Sequence, residues 1–266
     1  MSIATVIYVW RPFVQELYAA LYETNTRAPP GCVWVKQIYH SLQWLLCFLA
    51  GEQGGIIRKY SLAHYLRLGP QVRITWDASP YGMGATLEVN GVFKEYFTIP
   101  ISQEDQDHLE VKAGTSHGQQ AWEALCGLIA LRLWQGHWMG QRARLCVRSD
   151  NMAALTVFGM LRAKSKALLK ISREFSLDLG QAEYRPDLVQ HVPHMANQLN
   201  DMLSRRLYTL PAELANAELV EPPPRPKSWW RAARTWDPPV EPAATKRVDP
   251  VTLFSPQTLN KRVRVE

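Results

Sequence analysis

Four carboxylates stand apart from other acids in this sequence. Asp77 lies in "VRITWDAS" (72–79), Glu123 in "GQQAWEALCGLIALRLWQGHW" (118–138), Asp150 closes "RARLCVRSD", and Asp201 lies in "NQLNDMLSRRL" (197–207). Glu123 is the only acid between Glu110 and Asp150, and Asp150 the only one between Glu123 and Glu174, an interval that holds nine Lys and Arg. A carboxylate in apolar surroundings is costly to bury unless it is paired, protonated or bound to metal. Taken singly, each of the four reads better as half of an ordinary arginine ion pair. Gathered at one point they would repel and raise one another's pKa, and divalent cations relieve such repulsion. Hard oxygen ligands with room for water suit Mg²⁺ or Mn²⁺. Two such ions, about 3.5–4 Å apart, clamp a scissile phosphate, one activating water and the other stabilising the leaving oxygen.

The elements that must bring these acids together are legible from residue 71 onward. "VRITWDAS" has the β-branched and aromatic content of a strand. "ATLEVNGVFKEYFTI" (85–99) reads as two strands around Asn90-Gly91, a strong hairpin dipeptide. The segment 118–138 is apolar on nearly every face, as expected of a helix buried against a sheet. A fourth strand ends at Asp150, two helical segments follow ("NMAALTVFGML" and "SKALLKISREFSLDLG"), then a fifth strand in "QAEYRPDLVQHVP" and a last helix carrying Asp201. The expected order is βββ-α-β-α-β-α, an α/β chain with a five-stranded mixed sheet. If the first and fourth strands are neighbours, their ends unite Asp77 and Asp150, and a crossing helix adds Glu123.

Outside that block, "RPFVQELYAALYE" (11–23) has apolar residues at helical spacing, "APPGC" (28–32) interrupts it, and "VWVKQIYHSLQWLLCFLAGEQGG" carries a second helix, with "SLAHYLRLGP" (61–70) as a short third turn. Residues 1–70 therefore form a helical segment. From about 208 to 266 the chain is proline-rich ("EPPPRPKSWW", "WDPPVEP") and aperiodic, the composition of a disordered tail. The 266 residues carry a formal charge of +6 with 47% hydrophobic residues, ordinary for a globular chain and suited to a polyanionic partner. The four cysteines are scattered, with no zinc-like spacing, and read as reduced core thiols of an intracellular protein, cytoplasmic or nuclear. The densest apolar run, "WLLCFLA" (44–50), is far short of a membrane span, and no secretion signal is evident.

At these acids the sequence resembles a type-1 RNase H domain of the retroelement kind, gypsy-like and DIRS-like. "TWDAS" followed by "YGMGA" is similar to the first-strand motif, "WEALCGLIALRLW" to the helix motif, and "VRSDNMAAL" to the fourth-strand motif. "HVPHMANQLNDMLSR" resembles the closing motif H-x-P-G-x-x-N-x-x-A-D-x-L-S-R, with His194 where glycine and Asn200 where alanine is expected. The resemblance spans about 71–207. It implies an RNase H-like fold and a metal site of Asp77, Glu123, Asp150 and Asp201 holding two Mg²⁺ or Mn²⁺ ions. It also implies that His191 assists the attacking water or the departing product, with Asn151 and Asn197 supporting. The segment 102–117 lengthens the gap before the helix. Residues 1–70 look like the thumb or connection end of a reverse transcriptase, although no Y-x-D-D polymerase motif occurs. The implied activity is metal-dependent cleavage of the RNA strand of RNA–DNA hybrids within a retroelement polyprotein, without a membrane partner. The run "RAKSKALLKISR" supplies candidate phosphate contacts in Arg162, Lys164, Lys166, Lys170 and Arg173. A solvated helix face reads that run equally well. The competing functions are a retroelement fragment that binds nucleic acid without cutting it, and an exonuclease or DDE transposase. The last pair is disfavoured because "DAS" replaces D-x-E and Asp201 stands where a transposase has glutamate.

Overall fold

Alternation of β-branched and aromatic side chains carries β1 (Gln71–Ala78) through the centre of a mixed sheet. The computed structural model describes residues 8–22, 32–52, 62, 66, 68–138, 143–181, 188–206 and 211–233. β2 (Gly82–Val89) and β3 (Val92–Pro100) continue antiparallel from β1. Between them Asn90 and Gly91 both have positive φ (53° and 82°), the backbone that a tight two-residue hairpin demands. β4 (Arg144–Ser149) runs parallel to β1, and β5 (Leu188–His191) parallel to β4. The sheet order is β5-β4-β1-β2-β3-β6. The five strands and element order expected from the sequence are present. The sixth strand, β6 (Glu218–Leu219), pairs with β3 over two residues and is too short to leave a periodic signal.

The helices are α1 (Arg11–Tyr22), α2 (Val35–Ala50), α3 (Gln103–Leu109), α4 (Gln119–Leu133), α5 (Met152–Met160), α6 (Lys166–Gln181) and α7 (Gln198–Ser204). α4 is buried at every residue from Ala121 to Leu131, because β1, α5 and α6 all pack on it. Its lack of an apolar stripe is thus the mark of a central helix. α3 falls in the stretch read from sequence as a lengthened gap. Its start is fixed by a capping box, Ser102 with Asp105. On the other side, α1 and α2 meet through Trp10, Phe13, Trp44 and Phe48, and these four belong to the same continuous core as Ile74, Trp76 and Trp122. The third turn expected at 61–70 lies largely outside the described residues.

The C-terminal expectation needs correction. Residues 211–233 are packed on the domain, not disordered; residues 234–266 lie outside the described residues. After β6 the proline-rich run leads to Arg225, whose guanidinium forms a two-pronged ion pair with Asp105 (2.8 and 2.6 Å). Asp105 is fully buried. Trp230 stacks on His108 with ring centroids 3.9 Å apart, and Trp229 lies under the Arg132 guanidinium at 4.1 Å. The anchors are a few irregularly spaced arginine and tryptophan side chains joined by extended proline, a pattern with no period to detect. Among the described residues no helix is long and apolar enough to cross a membrane.

Removing one partner of a buried ion pair leaves an uncompensated charge. Arg225→Ala is therefore expected to destabilise the chain by about 3–5 kcal/mol in urea unfolding. A change within experimental error would mean that this segment merely rests on the surface.

Candidate metal centre

Asp77 is the penultimate residue of β1, and Asp150 immediately follows β4. Because the two strands are adjacent and parallel, their carboxyl ends emerge side by side. α4 closes on the same point with its first turn. Gln119 Nε2 donates to the carbonyl of Ala78, the last residue of β1, and to Glu123 Oε1 (3.3 Å), fixing where Glu123 reaches. One carboxylate oxygen from each of Asp77, Glu123 and Asp150 then lies within 4.8 Å of the other two.

α7 covers the sheet from the opposite side. Gly84 of β2 permits this, since a Cβ there would overlap Leu203. Thr86 Oγ1 donates to Asn200 Oδ1 (3.2 Å), Asn200 Nδ2 to Asn197 Oδ1 (3.0 Å), and Asn197 Nδ2 to the carbonyl of Trp76 (3.1 Å). Asn200, which stands where the resembled motif has alanine, thus bridges α7 to β2. Ser204 Oγ donates to Asp77 Oδ2 at 2.7 Å. Asp201 sits at the rim, outside the close group of three acids, and its Oδ1 accepts from Arg205 Nε (2.8 Å). Its charge still reaches Asp77.

The loop before α7 adds two imidazoles. His191 Nε2 lies 3.1 Å from the Asp150 carbonyl oxygen, and His194 Nδ1 lies 3.0 Å from Asp150 Oδ2. The residue that departs from the resembled motif at 194 therefore touches one of the clustered carboxylates. Asn151 caps α5 through its side chain, accepting from the N–H groups of Ala153 and Ala154. Of the basic run, Arg162, Lys164 and Lys166 are exposed. Lys170 and Arg173 are not available as expected: Lys170 is held by Glu110 (2.7 Å) and the His108 carbonyl, and buried Arg173 pairs with Glu16 (2.9 Å) and bonds the Pro12 carbonyl. Gln119, Ser204 and Asn200 escaped the sequence reading. Only spacing hinted at the first two, four residues before Glu123 and three after Asp201.

Burial pushes the Asp77 carboxyl up to about 6, and the nearby Asp150 and Asp201 charges add to this against the opposing Ser204 bond. Burial, followed by the Asp77 and Asp150 charges, drives Glu123 well above the ordinary carboxylate range. His194 is raised by its bond to Asp150. Among the described residues neither Asp77 nor Glu123 takes an ion pair, so the ordinary arginine partnership fails for both, whereas Arg205 supplies it for Asp201. Glu123 Oε2 is buried with no hydrogen-bond partner. A glutamate with an orphaned carboxylate oxygen, clustered with two further acids, is a donor set that fits a hard divalent cation.

No family model and no curated protein matches the sequence. Among solved structures, the chain is similar to the RNase H1 of the halophilic archaeon Halobacterium salinarum NRC-1, at 16% identity and a TM-score of 0.39 over 52% of this chain and 97% of that one. It is also similar to the foamy viral protease-reverse transcriptase dRH in complex with double-stranded DNA, at 11% identity and a TM-score of 0.31, over 69% of this chain and 31% of that one. A second structure of the foamy viral protease-reverse transcriptase with double-stranded DNA gives 10% identity and a TM-score of 0.24, over 72% and 40%. The chain spans well under half the length of the viral proteins. These likenesses are slight, and function is read from the carboxylates themselves.

An acid whose pKa is raised on folding stabilises the fold at low pH, and that contribution is lost as pH rises through the folded value. In metal-free buffer, Asp77→Asn should therefore melt progressively higher than the unchanged protein as pH rises from about 4 through 6. A melting difference constant across that window would show that Asp77 does not carry the shift.

Proposed function

We propose that this chain is a divalent-metal-dependent endonuclease that hydrolyses the RNA strand of RNA–DNA hybrids, acting as part of a retroelement polyprotein with reverse-transcriptase sequence ahead of it. The observation that carries the reading is the convergence of Asp77, Glu123 and Asp150, with Glu123 Oε2 left without a partner. The order of the four motifs along 71–207 supports it.

Asp77, Glu123 and Asp150 would hold Mg²⁺ or Mn²⁺, and Asp201 would join from the rim when a second ion is present. Such ions supply an activated water and neutralise charge on the leaving oxygen. The remaining work belongs to the chain. Ser204 and Gln119 hold the Asp77 and Glu123 carboxylates in place. Asn197 and Asn200 fix α7, and so Asp201, against β1 and β2. His191 is exposed, with its ring braced on the Asp150 carbonyl, where it can exchange protons with water at the site. Arg162, Lys164 and Lys166 are exposed cations that can meet phosphates of the bound nucleic acid, paired or unpaired, making binding salt-dependent.

One observation favours a second reading, a fragment that binds without cutting. His194 and Arg205 already engage the Asp150 and Asp201 carboxylates. The two readings part in a cleavage assay on a hybrid labelled on its RNA strand. The expected result is RNA cleavage that needs a divalent cation, stops with EDTA, and falls more than about 100-fold in Asp150→Asn. Undiminished cleavage by Asp150→Asn would sink the site assignment, and tight hybrid binding with no turnover in Mg²⁺ or Mn²⁺ would move the conclusion to the second reading.

A further inference from the structure

A groove of about 930 Å³ runs between α1 and the α5–α6 corner. Its end nearest the metal centre is marked by Gln120, three residues before Glu123 on α4, and by Met152, two residues after Asp150. The walls are tied together by main-chain contacts. Tyr8 Oη donates to the Gly159 carbonyl (2.6 Å), Gln15 Nε2 to that of Ala163 (2.6 Å), and Arg11 Nη1 to that of Met160 (3.2 Å). The groove is therefore a built concavity joining the N-terminal helical segment to the sheet domain.

Among the described residues its lining holds three cations, Arg11, Arg162 and Lys164, and no acid. It also keeps large apolar side chains in the open: Tyr18, Met152 and Met160 are 40%, 61% and 53% exposed. That mixture selects its occupant. A duplex turns its sugar–phosphate rim outward and hides its base faces in the stack, so it has nothing to offer an apolar floor. A strand with unpaired bases presents both an anionic backbone and flat apolar faces. The volume lies within the roughly 300–1,000 Å³ of small-ligand pockets, a size that suits individual bases.

We propose that this groove binds an unpaired nucleic-acid strand running away from the metal centre, with its bases on Tyr18 and the two methionines and its phosphates on Arg162 and Lys164. The direction of the strand rests on the nuclease reading. The binding itself does not, because it requires neither metal nor cleavage.

Fluorescence anisotropy on the full chain in EDTA tests this, with a labelled single-stranded oligonucleotide set against a blunt RNA–DNA hybrid. Tyr18→Ala should weaken the single strand about ten-fold and leave the blunt hybrid unchanged, while Tyr18→Phe keeps normal affinity for both. Arg162→Ala combined with Lys164→Ala should lower the salt slope for the single strand by about 1.4, as expected for two lost phosphate contacts. An unchanged melting temperature for Tyr18→Ala separates lost stacking from lost folding. Equal loss on both ligands, no loss on either, an unaltered salt slope, or displacement of the strand by a free mononucleotide at similar concentration would each overturn the proposal. A chain that shows the discrimination but does not cut hybrids keeps the groove and loses the nuclease reading; a chain that cuts but does not discriminate loses the groove alone.

Discussion

Like charge confined in a poorly solvated place is the constraint around which this molecule is arranged. Three carboxylates converge at the carboxyl ends of two parallel strands. Burial penalises the ionised forms of Asp77 and Glu123, and the neighbouring acidic charges add to that cost. A fold stable in spite of this must either protonate the acids or supply a cation. The surroundings mostly supply aim: Ser204 and Gln119 orient oxygens without neutralising them. Among the described residues, the ion pair on the triad is the one that the exposed imidazole of His194 makes with Asp150.

Much of this was legible in the sequence because it depended on local period and on isolation. The hairpin at Asn90-Gly91 follows from two residues that tolerate positive φ. The central position of α4 follows from its apolar residues having no preferred face. The acids stood out because basic residues surround them in the chain. What stayed hidden depended on partners far off in sequence. Lys170 and Arg173 look like phosphate ligands until Glu110, Glu16 and two main-chain carbonyls are folded against them. Asn200 looks like a defect in a motif until Thr86 meets it across the sheet. His194 looks like an altered loop until Asp150 is seen beside it.

The ends of the chain teach the same lesson at larger scale. Helical spacing revealed α1 and α2, yet their aromatic residues continue the core of the sheet domain instead of closing one of their own. Proline-rich composition suggested a loose tail, yet Arg225, Trp229, Trp230 and Ala232 fasten residues 211–233 to α3, α4 and α6. Composition measures how much apolar surface a segment has to bury; it says nothing about the few anchors that let an extended segment borrow a neighbour's core.

Trp230 and Ala232 lie in the same core cluster as Trp76 and Trp122. This has a consequence for biosynthesis. While a ribosome is still making the segment after α7, every sheet strand but β6 already exists, but Asp105 lacks Arg225 and His108 lacks Trp230. The nascent domain must wait, with a buried acid uncompensated, until residues more than a hundred positions downstream have emerged. Contacts of such long sequence separation are slow to form, so the emergence of Arg225 and Trp230 sets the moment at which this part of the domain can close.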